Sequence, residues 1–329
     1  MATLSTLNPT LADFTARMDS NGKIDPQIVE LLAETNPILD DMTVIEANGY
    51  TEHKTTVRSG LPQGTWRELN YGVQPEKSRT VPVKDSMGML ETYAEVDKAL
   101  ADLNDNKAAW RLSEDRAFIE GLNQTMAGTL FYGNSALEPQ KFMGLAPRYS
   151  DLTNAQNKGN IIDAKGTGDD NTSIWLMVWG PNTVHSIFPK GSTAGLQSRD
   201  LGEHTLFDAD GGQYQGYRTH YKWDLGLTLR DWRYVVRIAN IDVSELGGSS
   251  PADILKLMAR ALHRVPNLRM GRPVFYMNKE VAEALDIQSL DKTALALKTQ
   301  ELEGKFWQTM RGVPIRETDA LLNTEARVV

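Results

Sequence analysis

The spacing of apolar side chains changes several times along this chain, and each change marks an element. Residues 1–50 read as short helices on a string. Asn8 before Pro9 and Asp25 before Pro26 each place a capping side chain ahead of a proline at the first helical position. After the second, Ile28, Val29, Leu31 and Leu32 form one apolar face, and "NPILDDMTVIEANG" closes on Asn48-Gly49. Such a stretch is too short to fold alone and must dock on something. Residues 53–83, "HKTTVRSGLPQGTWRELNYGVQPEKSRTVPV", alternate like two strands around a turn, with Gly60, Pro62 and Gly64 marking the tip. Their only large apolar side chains are Val57, Trp66, Leu69, Tyr71, Val81 and Val83, too few for a core. Pro82 puts the returning strand at an edge.

Helical spacing dominates next. Leu112, Ile119, Leu122, Met126 and Leu130, with Trp110 and Phe118 beside them, predict a helix over 107–131, about 37 Å long at 1.5 Å per residue. Gly133-Asn134 ends it. Residues 147–173 are loop-like. Ile174 to Trp179 are apolar at every position, which predicts a strand covered on both faces. Residues 181–213 return to turns and short pieces. Tyr217, Thr219, Tyr221, Trp223, Leu225, Leu227 and Leu229 then alternate with Arg218, His220, Lys222 and Asp224. Trp232, Tyr234, Val236 and Ile238 read as a second strand, so 214–241 is expected to be a long antiparallel pair with one packed face. Beyond "ELGGSSP" (245–251) the grammar is α/β: a helix capped by Ser250 with Pro251 first and Asp253 three after the cap, the strand and helix of "RPVFYMNKEVAEAL" with Asn278 as cap, and the strand "GVPIRET". A small separate α/β subdomain is expected there.

Composition narrows the classes. The chain has 329 residues, 40% hydrophobic and 24% charged, long enough for two or more subdomains with cores of their own. No apolar run reaches the roughly 18 residues of a membrane helix, and the start "MATLSTLNPTLADF" lacks a basic-then-apolar signal, which points to a cytoplasm. With no cysteine there are no disulfides, thiolate metal sites or cysteine nucleophiles. The net charge of -8 argues against a broad nucleic-acid-binding face. That charge is divided: residues 1–50 carry two basic against eight acidic side chains, residues 51–84 six basic (Lys54, Arg58, Arg67, Lys77, Arg79, Lys84) against three acidic. Such runs are usually solvated surface. Opposite signs on two separate extensions also suit contacts between copies of the chain.

Catalytic patterns are sparse. His53, His185, His204, His220 and His263 show no i,i+3 or i,i+4 pairing. His220 shares a polar strand face with Arg218 and Lys222, and His263 ends a helix, where a cation is favoured. "DADGG" (208–212) opens like a calcium loop but lacks the later ligands, so a turn is expected. "GTGDD" (166–170) lacks the strand and helix a dinucleotide site needs, and "GSTAG" (191–195) has its serine one position early for a nucleophile elbow. The adjacent carboxylates Asp40-Asp41 and Asp169-Asp170 would point apart. The aromatic strip Tyr217, Tyr221, Trp223, Trp232 and Tyr234 is either a sheet core or the lining of a ligand groove.

An acidic arm, a basic hairpin without a core, one long helix, an antiparallel sheet and an α/β tail predict a protein whose extensions lie on its own copies. The stretches "IVELLAETNPILDDM", "TWRELNYGVQPEKSRTVPVKDSMGMLE", "FIEGLNQTMAGTLFYGN", "TSIWLMVWGPNTVHSIFPKG", "YRTHYKWDLGLTLRDWRYVVRIANI" and "RPVFYMNKEVAEAL" span nearly the whole chain. In their number and order they resemble the major capsid proteins of tailed bacteriophages, the Hong Kong 97-type coat fold, and within it the coat proteins of epsilon-fifteen-like short-tailed phages. The resemblance implies an α+β fold: an N-terminal arm over 1–50, an extended β-hairpin loop over 51–85, a peripheral domain over 86–245 built on the spine helix 107–131, and an axial α/β domain over 246–329. In the usual member the peripheral strands are completed after the axial domain. Here the sheet segment precedes the tail, which points to a permuted connectivity.

The resemblance also implies a non-enzymatic virion protein, without cofactor, catalytic site or metal. Its partners would be itself, as pentamers and hexamers of an icosahedral head assembled in the host bacterial cytoplasm, a portal, and packaged DNA enclosed without specific binding. Because the arm follows directly on Met1, a separate scaffold protein is expected; a cement or decoration protein is a further partner of some relatives. The intersubunit contacts are assigned to the hairpin, with Arg58, Arg67, Lys77 and Arg79 facing acidic surface and Trp66, Leu69 and Tyr71 as apolar anchors. Two other readings stand beside this one: a cytoplasmic carboxylate-based hydrolase with an aromatic-lined groove, and another phage assembly component such as a portal or tail tube.

Overall fold

The computed structural model describes residues 34–102, 107–208, 210–248, 251–291, 297–302 and 305–329. The helices expected behind Asn8 and Asp25 lie outside them. The described chain begins with one helical turn, α1 (Ile38–Asp41), after Pro37, and a short strand, β1 (Val44–Glu46). Strands β2 (Glu52–Gly60) and β3 (Arg79–Asp97) follow, then α2 (Lys98–Ala101), capped by the Asp97 carboxylate on the Ala99 N–H at 2.7 Å. The long helix α3 spans Lys107–Tyr132, as its apolar spacing predicts. Gly133 ends it for a steric reason: a Cβ there would lie 2.6 Å from the carbonyl oxygens of both Thr129 and Phe142.

The middle of the chain contributes β4 (Ile161–Asp163), β5 (Asn171–Trp179), β6 (Val184–Phe188), β7 (Gln197–Phe207), β8 (Gln213–Leu229) and β9 (Val235–Asp242). The tail contributes α4 (Ile254–Arg264), β10 (Arg272–Met277), α5 (Lys279–Asp291), β11 (Leu297–Leu302), β12 (Lys305–Met310) and β13 (Val313–Glu317). Pairing runs β11-β12-β13-β10-β5-β6-β8-β3-β2, with β1 beside β6, β7 beside β8, and β9 beside β4 and β5.

β5 is the common wall of two cores. Ile174, Leu176 and Val178 face α4 and α5 (Ile254, Met258, Leu262, Val281, Leu285), together with Val236 and Ile238 of β9 and Phe275 of β10. Trp175, Met177 and Trp179 face the other way, toward Met126, Leu130 and Phe131 of α3 and Ile38 of α1. The unbroken apolar run is explained by this double coverage.

Four expectations need correction. First, β8 and β9 do not pair with each other. β8 lies against β3 (Met87↔Gly226 to Asp97↔Gly216), while β9 runs antiparallel to β5 and parallel to β4. Burial explains it: Val235 to Ile241 are buried at every position and belong beside β5, whereas β8 keeps Arg218, His220 and Lys222 half-exposed. The turn Trp232–Tyr234, held by the Asp231 carboxylate on the Arg233 N–H, separates them.

Second, 181–213 is not only turns: it holds β6 and the eleven-residue β7, which pairs with β8 along its length. Of β7 only Leu206 is buried, so it is an edge strand held by backbone bonds, with no apolar period to betray it. "DADGG" closes this hairpin as a turn, Asp208 Oδ1 accepting from the Gly212 N–H at 2.6 Å. Third, α4 is capped by Asp253, whose Oδ1 accepts from the Lys256 N–H at 3.2 Å; Ser250 lies outside the described residues. Fourth, the tail is not separate from the body, because β10 pairs with β5 (Arg272↔Trp179 to Tyr276↔Trp175) and one core crosses the 245–251 segment.

Two buried polar knots fasten the chain ends. Asp41 of α1 accepts from Arg316 Nε at 3.2 Å and from Tyr276 Oη at 3.1 Å, tying the beginning of the described chain to β10 and β13. Burial beside this carboxylate pushes the Tyr276 hydroxyl pKa well up. Near the C-terminus, Glu325 meets Arg237 Nη2 at 2.8 Å, Tyr132 Oη at 2.5 Å and the Ser173 hydroxyl, with both charged side chains 4% exposed. Arg237 also donates to the Tyr149 carbonyl at 2.8 Å and lies over the Trp175 ring. One carboxylate thus joins α3, β5, β9 and the last residues of the chain.

Glu325→Ala strands the Arg237 charge in the interior and is expected to cost about 3–5 kcal/mol. Replacing Arg237 and Glu325 together by methionine should recover most of that loss. Urea unfolding of the unassembled chain checks both; a loss under about 1 kcal/mol for Glu325→Ala would contradict the assigned knot.

Candidate assembly surface

β2 and β3 form a two-stranded ribbon. Its register runs from Glu52↔Ser86 to Gly60↔Arg79, with an irregularity between Arg58 and Gly60. β3 is shared: its first part pairs with β2, and from Met87 onward it pairs with β8. Pro82 sits in the ribbon part, opposite Thr56, where its missing N–H removes no bond to β8. The sequence places the hairpin tip at Gly60, and strand pairing does stop there. Residues 61–78 then form a long loop without strand structure. Gln63 N–H donates to the Glu76 carboxylate at 2.6 Å across its limbs, and Tyr71 N–H donates to the Glu68 carbonyl at 3.2 Å around Asn70, whose φ is 70°.

The loop carries a cluster of strongly exposed apolar side chains: Trp66 is 100% exposed, Leu69 85% and Tyr71 71%. Leu61 and Val73 are exposed beside them. Burying each large apolar side chain is worth about 1.5–3 kcal/mol, so this surface is a reservoir of association energy. Arg58 and Arg79 lie at the outer end of the ribbon, Arg67 and Lys77 in the loop, and all four are exposed. The structure therefore gathers the seven residues singled out from sequence onto one projecting element. Among the described residues none of the four cations forms an ion pair.

The ribbon's root is built differently. Asp85, 4% exposed, accepts from Arg148 Nη2 at 2.9 Å, and the same Arg148 nitrogen donates to the carbonyls of Met143 and Leu227 at 3.1 Å each. The Asn48 side chain brackets Lys54 from both sides: its Nδ2 donates to the Lys54 carbonyl at 2.6 Å, and its Oδ1 accepts the Lys54 N–H at 2.9 Å. Gly49 lets the chain turn there, since a Cβ would fall 2.5 Å from the Glu52 carbonyl oxygen. These root residues were missed in the sequence, where an Asp 63 positions from its partner inside a charged stretch gives no signal.

Further along β3, Glu95 pairs with Arg218 at 2.8 Å and Glu91 with Lys222 at 3.4 Å. His220 reaches Glu91 at 3.2 Å on this half-exposed face, as its alternation predicts. The aromatic strip belongs to the core: Tyr217, Tyr221, Trp223 and Tyr234 are buried, and Trp232 is half-buried and packed against it. The paired carboxylates diverge, with Asp41 inside the knot described above and Asp40 lining an open cavity beside Leu39, Met42 and Trp223. Among the described residues no group of three or more His, Asp or Glu is placed to hold a metal ion, and no helix there is long and apolar enough to cross a membrane.

Comparisons with known proteins agree with this geometry. Residues 19–329 match the family described as Major capsid protein GP7. The fold is similar to a structure of bacteriophage Epsilon15, with 38% sequence identity, a TM-score of 0.79, and coverage of 100% of this chain and 99% of that one. It is also similar to the bacteriophage JBD30 capsid, with a TM-score of 0.51 over 95% of this chain and 99% of the other; at 11% identity that likeness concerns the fold alone. A comparison with curated protein sequences gives no significant match.

Asp85→Ala leaves the Arg148 guanidinium buried without its carboxylate and is expected to destabilise the unassembled chain by about 3–5 kcal/mol. Trp66→Ala, at a fully exposed side chain, is expected to fall within about 0.5 kcal/mol of the parent. Urea unfolding of the two variants side by side checks the contrast, and equal losses would refute it.

Proposed function

Because the chain belongs to the major capsid protein GP7 family, we propose that its ribbon and loop are the limb by which one copy holds another in the shell of a bacteriophage head. The protein is a shell-forming virion component of the Hong Kong 97-type fold. The carboxylate-hydrolase alternative finds no support, since the aromatic strip it needs as a groove is buried core. A family of major capsid proteins likewise leaves the portal and tail-tube alternatives without support.

The observation that carries the proposal is the fully exposed Trp66 between Leu61, Leu69 and Tyr71 on a loop that nothing among the described residues covers. A soluble protein that exposes such a cluster does so at a contact surface. Trp, Tyr and Arg are also the residue types that dominate binding energy at interfaces, and Arg67 stands next to Trp66. Arg58, Lys77 and Arg79 add positive charge to the same limb, suited to acidic surface on the next copy. One such contact is weak; repetition around a closed shell multiplies it.

The finer reading assigns residues 51–85 to the extended loop, 86–245 with α3 to the peripheral domain, and 246–329 to the axial domain meeting its copies in pentamers and hexamers. The role is structural, with no cofactor. Assembly in the bacterial cytoplasm with a separate scaffold, a portal and, outside, a cement protein completes the proposal. DNA is enclosed by an acidic wall that does not grip it, in keeping with the net charge of -8.

The double variant Trp66→Ala, Arg67→Ala is expected to keep the unfolding midpoint of the single chain and to lose closed shells. Electron microscopy and sedimentation of the purified protein read the result. Shells formed at the parental yield would remove the loop from the assembly mechanism, and an unfolded single chain would mean that the loop serves its own fold.

A further inference from the structure

Where the ribbon leaves the body, four strands carry a row of polar side chains on one face. His53 of β2 is opposite Asp85 of β3, and His185 of β6 is opposite Thr228 of β8. Continuing the β3–β8 register past Met87↔Gly226 brings Asp85 and Thr228 side by side, so the row is His53, Asp85, Thr228, His185. The two imidazoles meet edge to face with ring centres 6.0 Å apart. His185 is 1% exposed. His53 Nδ1 accepts the Asn48 N–H at 3.2 Å, which places the proton of the neutral ring on Nε2.

We propose that this histidine pair makes the ribbon root a proton-sensitive hinge: with both rings neutral the ribbon is seated on the body, and their protonation releases it. The charges around the pair set the direction. From β3, Asp85 is the single carboxylate of the row, and Arg148 already takes its Oδ1. Just beyond β8, the Arg230 guanidinium is near enough to disfavour a positive charge on either ring, with its Nη1 donating to the Pro181 carbonyl and the Asn182 side chain. Protonating both imidazoles would put two cations 6 Å apart next to two guanidiniums with one carboxylate among them. Swinging the ribbon away removes His53 from His185 and opens both to water.

Linkage fixes the pH window. Burial, then the His53 ring and Arg230, hold the pKa of His185 down at about 4, and burial likewise lowers that of His53. A group whose folded pKa is depressed takes up more protons in the opened state. The closed root is therefore fully favoured above pH about 6.5 and loses that advantage as pH falls toward 4. Release of His185 to an ordinary value near 6.5 favours the opened root by about 30-fold at pH ~5 relative to pH ~8. The inference concerns the root and goes beyond the docking of the loop, since it holds whichever surface receives Trp66.

Hydrogen exchange of the unassembled full-length chain tests it, with rates corrected for intrinsic chemistry. Between pH about 8 and 5 the amides of β2 and of β3 up to Ser86 are expected to lose roughly 30-fold protection, while β5 and β9 hold theirs. The variant H53Q/H185Q should flatten that response, and H53Q alone, at the half-buried member, should reduce it. A histidine titration of the unaltered chain by NMR requires no variant and should place one ring near 4. A ribbon no more pH-sensitive than β5, a double variant with the parental response, or all rings titrating near 6.5 would each overturn the hinge. Shell formation by the same samples at neutral pH is read separately, so failure of the hinge and failure of the loop's assembly role cannot be confused.

Discussion

Everything in this architecture follows from one strand serving two masters. β3 is 19 residues long, and only its second part, from Met87, lies against β8 with α3 behind it. Its first part is paired with β2 alone. A two-stranded ribbon has no second layer to bury a face against, and in water such a ribbon is marginal. It persists because its outgoing strand is a continuation of the core sheet and because its root is clamped by Asp85, Arg148 and Asn48. Stiffness at the root and apolar surface at the tip are what a reaching limb requires. The first is supplied by the body, and the second, on the proposed reading, is satisfied by another copy.

Polar knots do for the rest of the molecule what disulfides would do in a chain with cysteine. Glu325 draws the C-terminal segment onto α3, β5 and β9, and Asp41 draws α1 onto β10 and β13. Each is a buried charge whose partners come from distant parts of the sequence. Such pairs add little net stability against well-packed apolar replacements, but they penalise every arrangement in which one partner is missing. For a shell protein that must present the same surface in every copy, single-valued geometry matters more than additional stability. The proton-sensitive root fits the same pattern, because the ribbon is seated by buried polar groups whose charge state the medium can change.

The elements with a strong period were legible in the sequence. The apolar run 174–179 announced a strand with two covered faces, the 3.6-residue spacing from Leu112 to Leu130 announced α3, and the alternation from Tyr217 to Leu229 announced β8, since burial of one face leaves no other pattern available. The exposure of the loop's apolar side chains was legible for the opposite reason. A β-like stretch with no partners for Trp66, Leu69 and Tyr71 has to find them outside itself. Pairing was not legible. β8 and β9 follow each other in sequence yet bond to different strands, because the fully buried β9 must lie beside β5. β7, polar on both faces, carried no period at all.

What the sequence determined by itself is therefore the set of faces: which stretches must be covered, and which stretch is left with apolar side chains and no core. Those depend on the order of side chains along a few turns or strand residues. Which strand lies beside which, that Asp85 finds Arg148, that Glu325 finds Arg237, and that His53 and His185 meet at the hinge were decided only in three dimensions. A charge buried at low dielectric takes whatever partner the packed chain brings within hydrogen-bonding distance, and that proximity is a property of the closed sheet that no local window of sequence contains.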